Sequence, residues 1–310
     1  MPALSKFKAT LIVLVVYFIW GVTVPAIKLS LEEIPPFSFA FLRFALAGIL
    51  ISPFFLADDA HHPIKRKDLP LLITLGLLGP TLSNALYYFG LQKTTALDAG
   101  FIHALFPIVM AIGSALFLKE RLIKLRIIGA VIGTLGVAAL IAQPIIDYDI
   151  KTAVYNSGGN VLIIGSLLTW AAYTIGSKEI FTKYSVLTIT AFSFVVAMVS
   201  LLPFAVFEYL KNPNWVENVS NQSLFGLGIM VIFGSILAYL LYETAITSIS
   251  AHRVGFVSNS QPLFTTIAAI LILDEVLTKP LIIAAVLIIA GVILTTIKAP
   301  NIGLHRGHRF

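Results

Sequence analysis

The chain has 310 residues, of which 58% are hydrophobic and 12% charged, with a mean hydropathy of +0.95 and a formal net charge of +6. A soluble core of this size cannot hide that much apolar side chain, so lipid must solvate much of the surface and the chain reads as a polytopic membrane protein. The absence of cysteine excludes a disulfide framework, a thiolate metal site and thiol catalysis, and no basic run interleaved with aromatics offers a nucleic-acid groove.

The N-terminal run MPALSKFKATLIVLVVYFIWG starts basic and turns apolar like a signal peptide, yet it continues to about Lys28 without a small-residue cleavage pattern. It therefore reads as a retained first helix. A membrane span needs roughly 20 mostly apolar residues. Ten segments qualify in chain order: 9–28, 37–57, 69–91, 98–118, 124–142, 159–178, 186–208, 223–246, 253–273 and 279–297. The expected fold is an all-α polytopic membrane protein of ten transmembrane helices. The breaks carry the expected punctuation, IPP at 34–36, DDAHHPIKRKD at 58–68, KER at 119–121, DYDIK at 147–151 and KNPNW at 211–215, and none is long enough for a soluble domain.

Orientation follows from Lys and Arg, which stay in cytoplasmic loops. With the N-terminus inside, fifteen of the 21 basic residues fall on the cytoplasmic side, among them Lys65, Arg66, Lys67, Arg121 and Arg126. Only Lys28, Lys93, Lys151, Lys211 and Lys279 fall opposite, and Arg43 lies within a span. Both termini are expected in the cytoplasm, in a cell (inner) membrane.

The chain also repeats itself. At an offset of 155, Gly79, Tyr87, Ala96, Gly100, Phe101, Pro107, Glu120, Leu122 and Gly136 meet Gly234, Tyr242, Ala251, Gly255, Phe256, Pro262, Glu275, Leu277 and Gly291. At an offset of 150, Trp20, Lys28, Phe44 and Pro53 meet Trp170, Lys178, Phe194 and Pro203. Residues 1–146 and 147–310 are thus expected to be two five-helix repeats, and an odd number of spans inverts the second. Inverted repeats give a transporter two related packings around one central site.

The stretches FIWGVTVPAIK, FAFLRFALAG and TTALDAGFIHALFPIVMAIGSALFLKERL, the following GAVIGTLGV and the echo of that block at 250–292 resemble the EamA-type transporters of the drug/metabolite transporter superfamily. The resemblance covers nearly the whole chain. It implies two inverted five-helix halves, a cavity lined by helices 3, 4, 8 and 9, and frequently export of amino acids or other small metabolites. Family members also handle nucleotide-linked metabolites, sugars and amphiphilic cations. One departure is LDEVLTKP, which lacks the basic residue that follows the glutamate in KER.

Polar groups at membrane depth are costly and usually face a partner or a wet cavity. Asn84, Tyr87 and Tyr88 share one face of helix 3, and Tyr239, Tyr242 and Glu243 share the equivalent face of helix 8. His103 on helix 4 and Ser258, Asn259 and Gln261 on helix 9 sit just before Pro107 and Pro262, prolines that free backbone carbonyls for a cavity wall. Trp20 and Trp170 lie too deep for an interfacial belt. These twelve residues are the candidate substrate contacts, against bland alternatives: the tyrosines as belt residues, the asparagines and His103 as helix-helix contacts, the tryptophans as packing, and Glu243 as a helix-end acid reaching water. Arg43 is expected to pair with Glu32, Glu33 or helix-end carbonyls, with attraction of an anionic substrate group as the other reading. Glu120 and Glu275 are expected to serve their hairpins, capping amides of the next helix or pairing with lysines.

No HExxH, deep aspartate pair, charge ring, filter loop or Walker sequence is present, so neither an intramembrane enzyme, a channel nor an ATP-driven pump is indicated. The expected partners are a small-molecule substrate and the lipid bilayer, with protons as a candidate coupling ion, no cofactor, metal or nucleic acid, and a monomer as one reading of an oligomeric state left open.

Overall fold

The computed structural model describes residues 4–59, 64–118, 124–147, 150–181, 183–249 and 251–296. In hydrocarbon each backbone polar group needs an internal partner, and the apolar runs satisfy this as helices. In order they are α1 (Lys6–Glu33), α2 (Pro36–Asp59), α3 (Leu69–Gly76), α4 (Asn84–Lys93), α5 (Ala96–His103), α6 (Phe106–Leu118), α7 (Lys124–Asp147), α8 (Ile150–Ile180), α9 (Val186–Lys211), α10 (Trp215–Asn218), α11 (Asn221–Ile229), α12 (Ala238–Ile246), α13 (Ala251–Ser258), α14 (Ser260–Leu273) and α15 (Lys279–Thr296). The protein is an all-α polytopic membrane protein. Among the described residues eight helical stretches are long and apolar enough to cross a bilayer. Helices α7 and α15 contribute shorter apolar stretches, Ile127–Gly136 and Lys279–Gly291.

Two crossings organise the bundle. In one, α2 lies along α9, with the rings of Phe44 and Phe194 5.4 Å apart and those of Phe37 and Phe204 stacked at 4.8 Å. In the other, α7 and α15 approach so closely that only glycine fits. A Cβ on Gly136 would stand 2.9 Å from Ala284 O and 3.0 Å from Ile288 N, and one on Gly291 would stand 2.5 Å from both Gly129 O and Gly133 N. Small residues permit such approach, and dispersion then holds helices that lipid does not drive together.

Two helices contain a widened turn. π-helical segments at Leu77–Ser83 and Met230–Leu237 join α3 to α4 and α11 to α12. Pro80 supplies no N–H inside the first, while in the second Ser235 Oγ donates to Met230 O, five residues back, at 2.9 Å. Two further breaks, at Ala104–Leu105 and at Asn259, begin three residues before Pro107 and Pro262 and separate α5 from α6 and α13 from α14.

One end of the bundle is tied by carboxylates. Glu208 accepts from Phe37 N (3.2 Å) and Ser38 N (2.7 Å) at the start of α2, Glu33 accepts from Ser220 N (2.7 Å) before α11, and Glu275 accepts from Ala96 N and Leu97 N (both 2.8 Å) at the start of α5. Free amides at a helix start attract such anions. Glu275 therefore does cap a helix, but α5 rather than the helix that follows it in sequence. Lys28 Nζ donates to the carbonyls of Leu91 (3.4 Å) and Thr94 at the same end. At the other end Tyr184 Oη donates to Asp68 Oδ2 at 2.7 Å, and Lys183 stands 3.5 Å from the same carboxylate. Glu120 lies outside the described residues.

Candidate functional site

The widened turns create acceptors that a regular helix would have consumed. Gly234 O, in the second of them, accepts from both Trp20 Nε1 and Arg43 Nη2, each at 3.0 Å. Asn84 Nδ2 donates to Pro80 O at 3.0 Å in the first, and to Tyr239 Oη at 3.2 Å. Around these contacts lies a concave cavity between the helices, the kind of place in which small-molecule sites form. Its wall draws on α1, α2, α4, α5, α6, α8, α12, α13, α14 and both widened turns.

Of the twelve residues singled out as substrate contacts, Trp20, Asn84, Tyr87, Tyr88, His103, Trp170, Tyr239, Ser258 and Gln261 line this cavity, and Tyr242, Glu243 and Asn259 do not. Tyr242 stands behind the wall, its ring 5.3 Å from Trp20 and 5.6 Å from Trp170, with its hydroxyl 3.1 Å from Thr174 Oγ1. Glu243 is wholly buried rather than reaching water from a helix end. Its carboxylate accepts from Tyr173 Oη and, at 2.5 Å, from Thr190 Oγ1. Asn259 sits at the break before α14 with Oδ1 unpartnered.

Arg43 departs most from its expected place. It pairs with neither Glu32 nor Glu33, because Glu33 is engaged at Ser220 and the guanidinium instead turns into the cavity wall. Nε donates to Ser235 Oγ (2.6 Å), Nη1 to Asn84 Oδ1 (2.8 Å) and Tyr88 Oη, and Nη2 to Gly234 O. The residue is 2% exposed. Its carbon Cζ also stands 4.8 Å from the centre of the Phe44 ring.

Aromatic rings form a large part of the rest of the wall. Trp20 and Trp170 meet edge to face at 5.5 Å and 86°, and Tyr239 packs 5.6 Å from Trp170. His103 stands edge-on to Tyr87 at 5.3 Å, and neither its Nε2 nor the buried Tyr17 hydroxyl has a partner within ordinary hydrogen-bond geometry among the described residues. Sequence reading missed Tyr17, Thr23, Ser83, Phe106, Ser166 and Met230 as wall residues. Tyr17 and Ser166 lie one helical turn before Trp20 and Trp170, which is the signal that could have found them. Pro107 is beside the wall residue Phe106, and Pro262 beside Gln261. Among the described residues no group of three or more His, Asp or Glu side chains could hold a metal ion.

A bundle of apolar helices around a polar, aromatic-walled cavity is the form of a membrane protein that handles a small molecule. The profile of the EamA-like transporter family matches residues 7–142 and again 157–297, so the chain belongs to that family. An uncharacterized transporter of Archaeoglobus fulgidus is 28% identical over 292 residues, covering 94% of this chain and 98% of that one. The uncharacterized transporter YyaM of Bacillus subtilis is 28% identical over 88% of each chain. A protein named S-adenosylmethionine/S-adenosylhomocysteine transporter from Chlamydia muridarum is 23% identical, covering 88% of this chain and 87% of its own. One crystal structure aligns with a TM-score of 0.66 at 20% identity, over 94% of this chain and 96% of the other, a likeness of fold.

Proposed function

We propose that this protein is a secondary transporter that carries a small metabolite across the inner membrane by alternating access, with residues 1–146 and 147–310 as inverted halves and the aromatic-walled cavity as the substrate site. The observation that carries the reading is the crossing of α7 and α15. Gly136 approaches 284 and 288, while Gly291, its counterpart at an offset of 155, approaches 129 and 133, the counterparts of 284 and 288 at the same offset. Such self-complementary contact is what a two-fold relation between halves requires. Equivalent widened turns and equivalent breaks before Pro107 and Pro262 support the same relation. Residues from both halves wall the cavity, so rocking one half against the other would expose it to each face in turn.

An amino acid or related compound is the favoured cargo, and export the favoured direction, with both termini in the cytoplasm. Protons are a candidate coupling ion through Glu243, the buried carboxylate next to the wall. The Chlamydia relative and the aromatic wall together favour a second cargo class, nucleoside-linked metabolites, whose flat bases would lie against Trp20 and Trp170.

Alternating access is testable because the chain has no cysteine. Ser166→Cys places one thiol on the cavity wall. An impermeant maleimide should reach it from each face in separate experiments, and added cargo should shift the two rates in opposite senses. Reaction from one face only, whatever the cargo, would sink alternating access.

A further inference from the structure

We infer that the cargo of this cavity carries a carboxylate that docks on the Arg43 guanidinium while a flat apolar portion lies against Trp20, Trp170 and Tyr239. This rests on the cavity being the substrate site. A guanidinium has five N–H donors. Four of those on Arg43 are given to Ser235, Asn84, Tyr88 and Gly234, and the fifth, on Nη2, has no acceptor among the described residues. All four acceptors are neutral, and among the described residues no Asp or Glu lines the cavity. The nearby carboxylate of Glu243 is committed to Tyr173 and Thr190.

A buried cation without a counter-charge is costly, and a carboxylate arriving at the free N–H offsets that cost. The four neutral bonds meanwhile fix the plane of the guanidinium, so the free donor is oriented before any ligand arrives and little ordering is left for binding to do. The aromatic wall is set at a matching place. Gly234 O holds Trp20 Nε1 and Arg43 Nη2 at once, which keeps the indole beside the cation. A molecule with an acid group attached to a ring or other flat apolar body meets both. An amine of the same shape would face the guanidinium with no carboxylate to receive it, so the wall selects against it as well as for the acid. Tyr17 Oη and His103 Nε2 remain for further polar groups of the cargo.

The test uses the full chain in lipid nanodiscs and equilibrium binding of radiolabelled 3-phenylpropionate, competed by the unlabelled acid, 3-phenylpropionamide and 3-phenylpropylamine. The acid should compete at a concentration at least about tenfold below the amide, since hydrogen bonds to charged groups are among the stronger ones, and the amine should be weakest. R43Q should bind acid and amide alike. Should R43Q fail to fold by size-exclusion chromatography, R43K serves: it keeps the charge but loses the fork, and about threefold or more weaker acid binding with unchanged amide binding is expected. The inference is overturned if the parent binds none of the three, if it binds amide or amine as tightly as acid, if folded R43Q keeps the preference, or if R43K leaves acid binding unchanged. Binding in nanodiscs needs no translocation. Acid-selective binding in a protein that moves nothing would keep this inference and end the transport reading, whereas transport without acid preference would do the reverse.

Discussion

Removing the Glu275 carboxylate should loosen one end of the bundle. Both of its oxygens accept backbone N–H groups at the start of α5, from Ala96 and Leu97 at 2.8 Å each, and the two ends of the contact lie 179 and 178 residues apart in sequence. Thr95, which caps the same helix through Asp98 N at 2.9 Å, stays in place in Glu275→Ala, so the helix survives with two amides unpaired. Loss of a cap costs about 0.5–2 kcal/mol. At about 1.4 kcal/mol, in the upper half of that range, a tie that exists only while this end is closed shifts the closed-to-open ratio about tenfold when it is lost. The assay is the Ser166→Cys maleimide rate from the side of Glu275, in intact cells or oriented vesicles, with and without Glu275→Ala. A severalfold faster reaction is expected, with Glu275→Gln intermediate because one acceptor oxygen remains. A folded Glu275→Ala variant with the parent rate would refute the idea that this carboxylate holds the end shut.

Other outcomes follow from neighbouring contacts. Gly159→Ala should lower thermal stability by about 1–3 kcal/mol, because its Cβ would stand 2.9 Å from Gly90 O and from Lys93 Cβ, whereas Gly158→Ala meets nothing within 4 Å and should leave stability level or slightly raised; equal melting curves for the two would contradict the close approach of α4 and α8. Glu243→Gln keeps one acceptor oxygen, for Tyr173 or Thr190, turns the other position into a donor and removes the ionisable group, so cargo exchange should persist while stimulation by a proton gradient disappears, and an unaltered gradient response would remove Glu243 from coupling. A reporter fused after Phe310 should be cytoplasmic and one inserted near Asn214 external, and both on one side would end the inverted arrangement.

Much of the architecture was legible because lipid imposes a simple rule: long apolar runs become helices, and their punctuation marks the ends. The duplication was legible for a related reason, since Gly136 and Gly291 hold places that only glycine fits. What the sequence did not reveal is where freed carbonyls point. Pro80 hints at the first widened turn, but the second, MVIFGSIL, contains no proline and reads as an ordinary apolar helix. From sequence, Arg43 points to Glu32, Glu33 or helix-end carbonyls, or to an anionic substrate group, whereas its partners are Ser235 and the Gly234 carbonyl, 192 and 191 residues away, together with Asn84 and Tyr88. Glu243 shows the same limit. Its distance from the helix end suggested contact with water, but Tyr173 and Thr190 on α8 and α9 close over it, and neither lies near it in sequence. Sequence order alone points Glu275 to the amides of the next helix or to nearby lysines, and the amides it serves belong to α5.

Counterflow in proteoliposomes tests the central claim most directly. Purified protein is reconstituted, loaded with one unlabelled compound at a time from a panel of amino acids, aromatic carboxylic acids, S-adenosylmethionine and S-adenosylhomocysteine, and diluted into the labelled compound. Transient accumulation of label above equilibrium, for a carboxylate-bearing member of the panel and lost in the Trp20→Ala and Trp170→Ala variants that strip the cavity wall, is the expected result. Equilibration without overshoot would indicate a channel-like pore, and overshoot undiminished in both tryptophan variants would place the transport path outside this cavity.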